Sequence, residues 1–184
     1  MHKKNKSTTK KNISGFTTIE FIVTLVILVL MLYPVYGFLQ QAGLSWQFGE
    51  NKTEVVQNAR IALDKMSDEI KHAHQFFSVS STQLRFWWKD LNKNAIADPD
   101  EILMYVWSGI SGDDLTRKLD SEAQTTALAN YVDRFELKYY DKIGQETLVT
   151  KEVYFITATI TIKKTERGNS YTSVMRKAIH PRNI

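Results

Sequence analysis

Residues 15–39 read GFTTIEFIVTLVILVLMLYPVYGFL, and this stretch decides how the rest of the chain is arranged. From Phe21 to Leu39 it holds 19 residues without a charge. As an α-helix rising about 1.5 Å per residue, this run would span roughly 28 Å, close to the ~30 Å hydrocarbon core of a bilayer. The sequence therefore predicts a transmembrane helix over residues 16–39.

The segment before the apolar run is polar and basic. Five lysines lie in the first eleven residues, where there is no acid. The chain has 24 basic and 20 acidic residues, so removing these five leaves 19 against 20. The positive balance thus belongs to residues 1–15 and gives no support to nucleic-acid binding by the remainder. Lysines before an apolar helix favour a cytoplasmic N-terminus, with the C-terminal part outside.

Glu20 does not suit a simple membrane anchor, because a carboxylate near the bilayer core costs on the order of 2.5–3.5 kcal/mol. Cleavage between Gly15 and Phe16 would supply a partner, since the new α-amino group would lie about one helical turn from Glu20. In a packed bundle, Glu20 of one subunit could instead pair with Phe16 of its neighbour, and burial would strengthen that attraction. A plain signal anchor with an unrelated Glu20 is the alternative.

The basic leader, the motif GFTTIEF at residues 15–21 and the long apolar helix together resemble the N-terminus of type IV prepilins. The resemblance implies that a prepilin peptidase cuts between Gly15 and Phe16 and that Phe16 becomes the N-methylated first residue. It also implies that Glu20 is the acid needed for assembly. Residues 1–15 would then be a cleaved leader peptide.

Two features interrupt the helical pattern after the leader. Pro34 lies within the apolar run, where it removes a backbone hydrogen bond and permits a kink. The prepilin family often carries a proline near this position. Residues 40–52 are polar and small, with Gly43 and Gly49, so the helix is expected to weaken or break there.

A second helical pattern follows and ends near residue 76. Its apolar residues recur every three or four positions, which predicts one buried stripe. The stripe consists of Val56, Ala59, Leu63, Met66, Ile70 and Ala73. The sequence thus predicts a stalk helix over residues 40–76 that packs on a sheet. Residues 58–71 resemble the helix after the anchor in J-type pseudopilins, which implies a minor subunit.

From residue 80 onward the period changes to the alternation typical of strands. Five strands are predicted, at 84–89, 101–107, 131–140, 153–163 and 171–179. Turns are predicted at 141–144 and 166–169, and residues 108–130 are interpreted as a loop with a short helix. The expected fold is α+β: a long N-terminal helix, partly transmembrane, packed on an antiparallel β-sheet head over residues 77–184, as in pilins.

The segment from residue 90 to residue 101 has the ligand spacing of a twelve-residue calcium loop. Oxygen side chains fall at positions 1, 3, 5, 9 and 12, and a backbone carbonyl is available at position 7. These residues are Asp90, Asn92, Asn94, Asp98 and Glu101, with Ile96 for the carbonyl. Position 6 is Ala95 instead of glycine, and a left-handed residue there would cost about 1–2 kcal/mol. A hairpin connection made of turn-forming residues is the alternative.

The resemblance implies a structural subunit and no enzymatic activity. Its expected partners are other pilin or pseudopilin subunits, the prepilin peptidase, the assembly platform protein and the membrane. The chain would be a single-pass protein of the cytoplasmic membrane with its head outside, and then part of a type IV pilus, type II secretion or competence filament. The alternative is a membrane-anchored binding or adhesion module that holds calcium and never polymerises.

Overall fold

The computed structural model describes Gly15 and residues 17–182, and its first element is the helix α1, Thr18–Lys71. The apolar run from Phe21 to Leu39 lies within α1, and every side chain in it is exposed. A predominantly apolar, uncharged surface of this length is unfavourable in water and suits lipid. The described chain therefore has one helix near its N-terminus that is long and apolar enough to cross a membrane.

The helix does not break at residues 40–52, which corrects the expectation drawn from Gly43 and Gly49. A glycine inside a helix costs only about 1 kcal/mol relative to alanine, and helical turns on both sides offset that cost. The helix also continues through Pro34. Proline has no N–H to donate, so the Leu30 carbonyl lacks its usual helical partner, and the kink at this point stays a prediction.

The C-terminal end of α1 also differs from expectation, because the helix ends at Lys71 and not at residue 76. The Ala73 N–H bonds to the carbonyl three residues back at 3.0 Å, which tightens the last turn. The His74 N–H then bonds to the Trp87 carbonyl at 2.8 Å, so the chain has already joined a sheet. Ala73 is buried although it lies past the helix, which explains why the apolar periodicity overestimated its length.

The strands form two antiparallel sheets, where the sequence predicted one sheet of five strands. The first sheet has the order β1-β2-β3-β4-β5, with strands Gln75–Val79, Gln83–Trp87, Ile102–Val106, Leu115–Leu119 and Thr126–Ala129. The second has the order β6-β7-β8, with strands Val132–Tyr140, Phe155–Glu166 and Asn169–Ile179. The five predicted strands are β2, β3, β6, β7 and β8. Residues 108–130 hold β4 and β5 in place of the expected loop with a short helix.

Both predicted turns are present. The turn after β6 closes with Gly144 at a φ of 82°, a conformation that glycine adopts without strain. The β7–β8 hairpin turns at Arg167 and Gly168, with φ values of 51° and 80°. Two central residues with positive φ match a type I′ turn, which suits the right-handed twist of the flanking strands.

One apolar core joins the C-terminal part of α1 to both sheets. The helix contributes Val55, Ala59, Ala62, Leu63, Met66 and Ile70, all buried. The first sheet contributes Phe76, Leu84, Phe86, Leu103, Tyr105 and Leu115, and the second contributes Phe135, Leu137, Ile156, Ala158, Ile160 and Ile162. Each fully buried Leu, Ile or Met side chain stabilises the fold by about 1.5–3 kcal/mol relative to exposure. The predicted stripe is confirmed except that Val55 is buried in place of Val56.

Ion pairs fix the helix to the second sheet at the margin of this core. Lys164 of β7 reaches Glu54 at 2.6 Å, and Lys177 of β8 reaches Asp64 at 2.6 Å. The hydrogen bond from Lys177 holds the pKa of Asp64 below its ordinary value.

The chain divides into two compact units, Met1–Gln47 and Phe48–Ile184, and the helix–sheet core belongs to the second.

Candidate functional site

The first turn of α1 is closed by a reciprocal pair of contacts between Thr17 and Glu20. Oε2 of Glu20 accepts hydrogen bonds from the Thr17 backbone N–H and from its hydroxyl, both at 2.9 Å. The Thr17 hydroxyl oxygen in turn accepts from the Glu20 N–H at 3.4 Å. This is a capping box, in which residues three apart satisfy N–H groups that the helix leaves without partners. The negative charge also lies at the positive end of the helix dipole.

The capping box is a role for Glu20 that the sequence reasoning missed. The signal was present, because threonine followed three residues later by glutamate, ahead of an apolar run, is the usual pattern for this cap. The cap gives the carboxylate a partner within its own chain. Glu20 is therefore not a lone acid, and a charge pair with an amine at Phe16 would be an additional contact.

The contacts of the capping box leave the Glu20 carboxylate able to bind a cation as well. Both contacts from Thr17 go to Oε2, and an ionised carboxylate offers about four acceptor positions on its two oxygens. The carboxylate is also held beside the backbone nitrogen of Thr17, the residue that directly follows Phe16 in the sequence. An α-amino group created at Phe16 would thus be one residue from the atoms that Glu20 already contacts.

Of the two residues that flank the predicted cut, the structure describes Gly15. Gly15 is exposed, and a methyl group added to its Cα would meet no atom within 4 Å. Phe16 lies outside the described residues. From Phe21 onward the helix carries no charge up to Glu50, and the Thr24 hydroxyl bonds to the Glu20 carbonyl at 2.7 Å, so this polar group is satisfied within the helix. The surface after the cap is therefore suited to lipid or to other apolar helices.

The twelve-residue loop lies between β2 and β3, as the sequence predicted, and Glu101 anchors both of its ends. Its carboxylate is fully buried and accepts hydrogen bonds from the Leu91 N–H at 2.6 Å and the Trp87 indole N–H at 3.1 Å. Its own backbone N–H bonds to the Asp98 carbonyl at 2.9 Å. Glu101 therefore holds the loop closed, a role that its position at the end of the spacing did not reveal.

Among the other predicted ligands, Asn92 and Asn94 contact Asp98, whereas Asp90 contacts the loop backbone. Oδ2 of Asp98 accepts from the Asn92 amide at 2.6 Å and from the Asn94 amide at 3.0 Å. The Asp90 carboxylate accepts from the backbone N–H groups of Asn94 and Ala95 at 3.2 and 3.0 Å. These contacts wrap the loop around its own side-chain oxygens.

Two details bear on calcium. Ala95 has a φ of 58°, so the loop adopts the left-handed residue at position 6 despite lacking glycine there. The Asn94 side-chain oxygen, itself a predicted ligand, accepts a hydrogen bond from the Ile96 N–H at 2.7 Å. Within the described residues, no three His, Cys, Asp or Glu side chains gather as a metal site, and the candidate set depends on asparagine and carbonyl oxygens. Calcium binding and a self-bonded turn are both compatible with these contacts, so the calcium site stays a prediction.

A polar cluster that the sequence did not indicate lies under the first sheet. The Arg117 guanidinium on β4 bonds to both carboxylate oxygens of Glu69 on α1 through Nε, at 3.0 and 3.1 Å. The Tyr105 hydroxyl donates to the same carboxylate. Burial and the neighbouring Glu69 charge raise the pKa of Tyr105 well above its ordinary value, so this phenol stays protonated. The cluster ties α1 to β3 and β4, and all of its charges are paired.

The basic C-terminal residues divide between structural and solvent-exposed roles. Lys164 and Lys177 are held by acids on α1, whereas Lys163 and Arg176 are exposed.

Trp87 is the last residue of β2, and Trp88 directly follows the strand; both are half-buried. The Trp87 indole N–H bonds to Glu101, whereas Trp88 packs against the core.

Comparison of the chain with protein-family models gives no match, and comparison with curated proteins gives none either.

Proposed function

We propose that this chain is a structural subunit of a type IV pilus-like filament, made as a precursor and trimmed between Gly15 and Phe16. The chain does no chemistry itself, and the chemistry of cleavage and methylation is done to it. Its apolar helix holds it in the cytoplasmic membrane with the head outside and later packs among the helices of neighbouring subunits. The proposal includes a minor role, close to the initiating tip of the filament.

The observation that carries the proposal is the position of Glu20. The carboxylate lies in the first turn of a helix that then runs without charge to Glu50, and it is held at the nitrogen of Thr17. An amine created at Phe16 by cleavage would be next to this carboxylate. In an apolar bundle such a pair would be strongly favoured over either charge alone, because an unpaired buried charge is costly.

The test is the fate of the leader in the full-length protein. Gly15→Ala is expected to block or strongly slow leader removal, because the peptidase must accommodate the residue before the cut. Gly43→Ala is the matched control, since its added methyl group also meets no atom within 4 Å and it lies well past the cut. Immunoblots of membranes, with a tag at the C-terminus, report the two lengths.

The expected result is full-length Gly15→Ala protein next to shortened wild type and shortened Gly43→Ala. If all three proteins keep the leader in cells with an active prepilin peptidase, the chain is an anchored module and not a pilin. If all three are shortened to the same extent, the cut does not depend on Gly15 and the assignment of the cleavage site is wrong.

A further inference from the structure

Sheet edges expose backbone N–H and C=O groups that can pair with another chain, and three of the four edges in this head are protected. In the first sheet, β1 has five residues and a register shift between Phe76 and Ser78, and β5 has only four residues. In the second sheet, β6 is closed by other backbone segments. The Leu137 N–H bonds to the Ser81 carbonyl at 2.8 Å, and the Tyr139 carbonyl accepts from the Thr147 N–H at 3.0 Å.

The fourth edge is β8, Asn169–Ile179, and it is long and regular. All eleven of its residues pair with β7 in one continuous register, without a bulge, and it contains no proline. Within the described residues, no backbone hydrogen bond leaves the outer side of this strand. Natural proteins usually protect such an edge with bulges, proline or short length, so the open edge of β8 calls for an explanation.

The turn fixes which backbone groups face outward. Arg167 and Gly168 form a two-residue turn, so Glu166 and Asn169 are a hydrogen-bonded pair. Alternation along an antiparallel ladder then directs the N–H and C=O groups of every second residue away from β7. These residues are Ser170, Thr172, Val174, Arg176 and Ala178, and all five are exposed. Val174, an apolar residue, is 65% exposed.

The charge of this edge favours an acidic partner. From Asn169 to Ile179 the strand has Arg176 and Lys177 and no acid. Lys177 is neutralised by Asp64, whereas Arg176 makes no ion pair within the described residues. Lys163 of β7 is exposed and pairs with Thr172 of β8, so it adds a second cation to the face of the sheet that carries Arg176. A second β8 strand would bring like charges together, and an acidic strand would not.

The geometry points to β8 as a docking edge that accepts an extended, acidic segment of a different filament subunit as a ninth strand. Backbone hydrogen bonds from the five outward residues would give affinity, and Arg176 with Lys163 would select for acidic side chains. The identity of the partner as a filament subunit rests on the proposed function. The open edge itself depends only on the pairing of β7 and β8.

The first experiment removes one outward N–H without disturbing the sheet. Val174→Pro deletes a donor that faces away from β7, and proline is tolerated at such edge positions. Val174→Ala is the matched control for side-chain loss. Met175→Pro is the control for damage to the fold, because the N–H of Met175 faces β7. Protease resistance of the full chain in membranes checks that Val174→Pro remains folded and that Met175→Pro does not.

The second experiment identifies the partner and needs no proline. The chain has no cysteine, so a benzophenone label can be placed at Thr172→Cys alone, with the exposed Gln124→Cys as the control. The expected result is a cross-link from position 172 to an acidic segment of another subunit, with none from position 124. Val174→Pro, added to Thr172→Cys, should lower the yield by roughly five- to tenfold, the effect of about one net hydrogen bond, whereas Val174→Ala should preserve it. Arg176→Glu should also lower the yield, and Arg176→Lys should preserve it.

Several outcomes would overturn the inference. They are equal yields from positions 172 and 124, a cross-link to a second copy of this chain, or a yield that rises with Arg176→Glu. Leader length in the same samples separates this failure from that of the proposed function. Leader removal with no cross-link at position 172 would refute only the docking edge, and an uncut leader would refute the filament role.

Discussion

At the scale of single residues, the Glu20 carboxylate has an observed role as the cap of α1 and a proposed role in a charge pair, and substitutions can separate the two. It caps the helix through Thr17, which requires an acceptor oxygen but not a charge. The proposed pairing with the Phe16 amine requires the charge. The cost of an acid near lipid predicts the charge pair from the sequence. The cap was not predicted, although threonine at residue 17 and glutamate at residue 20 have the spacing of a capping box.

Glu20→Gln should separate the two tasks, because glutamine keeps the oxygen that accepts from the Thr17 N–H and loses the negative charge. We expect normal leader removal and normal amounts of the protein in the membrane, with incorporation into filaments reduced at least about tenfold, the equivalent of ~1.4 kcal/mol. Thr17→Ala is the opposite control, since it removes the hydroxyl and retains the charge. Filament fractions probed for this subunit give the measurement, and wild-type incorporation of Glu20→Gln would contradict the charge-pair account.

At the scale of secondary-structure elements, the long, strongly periodic pieces were predictable and the weakly patterned ones were not. The apolar run and the stripe through Leu63 and Met66 identified α1, because membrane span and helical period leave a clear pattern. Strand β4 was missed because only Leu115 on it is fully buried, so no alternation is visible. Strands β1, β4 and β5 were not recognised in the sequence. Their pairing with β2 and β3 into a separate sheet therefore could not be predicted.

The stability of the head should depend on the buried stripe of α1 and not on apolar residues elsewhere on the same helix. Met66 is fully buried and Ile61 is 63% exposed. Met66→Ala should lower the free energy of unfolding by about 2–5 kcal/mol through lost contacts and a cavity, whereas Ile61→Ala should change it by less than about 0.5 kcal/mol. Thermal unfolding of the full chain in detergent, followed by tryptophan fluorescence, compares the two. Similar losses would mean that this face of α1 does not pack on the sheets.

In the loop between β2 and β3, the spacing of oxygen-bearing residues predicted a set of ligands but not the contacts that each of them makes. The spacing predicts that Asp90, Asn92, Asn94 and Asp98 act together as ligands, and the structure shows Asn92 and Asn94 donating amide hydrogen bonds to Asp98 while Asp90 holds the loop backbone. The spacing could not reveal that Glu101 is buried and already bonded to the Leu91 N–H, because burial depends on the β2–β3 pairing.

If the loop binds calcium, millimolar Ca²⁺ should raise the melting temperature of the full chain in detergent. Millimolar Mg²⁺ should have little effect, because it prefers a smaller and stricter octahedral site. Asp90→Asn should weaken the Ca²⁺ effect by removing one charge, and Asp100→Asn, outside the predicted ligand set, should not. A melting temperature unchanged by Ca²⁺ would leave the loop as a self-bonded hairpin connection.

At the scale of the whole molecule, the proposed function requires the apolar run of α1 to anchor the chain and to assemble with other subunits, and it requires the head to select partners. The apolar run of α1 is exposed throughout and packs against no other described residue of its unit, so its surface is suited to lipid or to other apolar helices. The head is held together by its own core, which frees its surfaces, including the β8 edge, for specific contacts. In the proposed function, all of these roles depend on the removal of residues 1–15.

The most direct measurement is therefore the mass of the N-terminal peptide of the natural protein, isolated from cells with an active prepilin peptidase. The account predicts a mature chain that begins at Phe16 and carries one methyl group on its α-amine. A natural protein that still begins at Met1, with the lysine-rich leader attached, would contradict it.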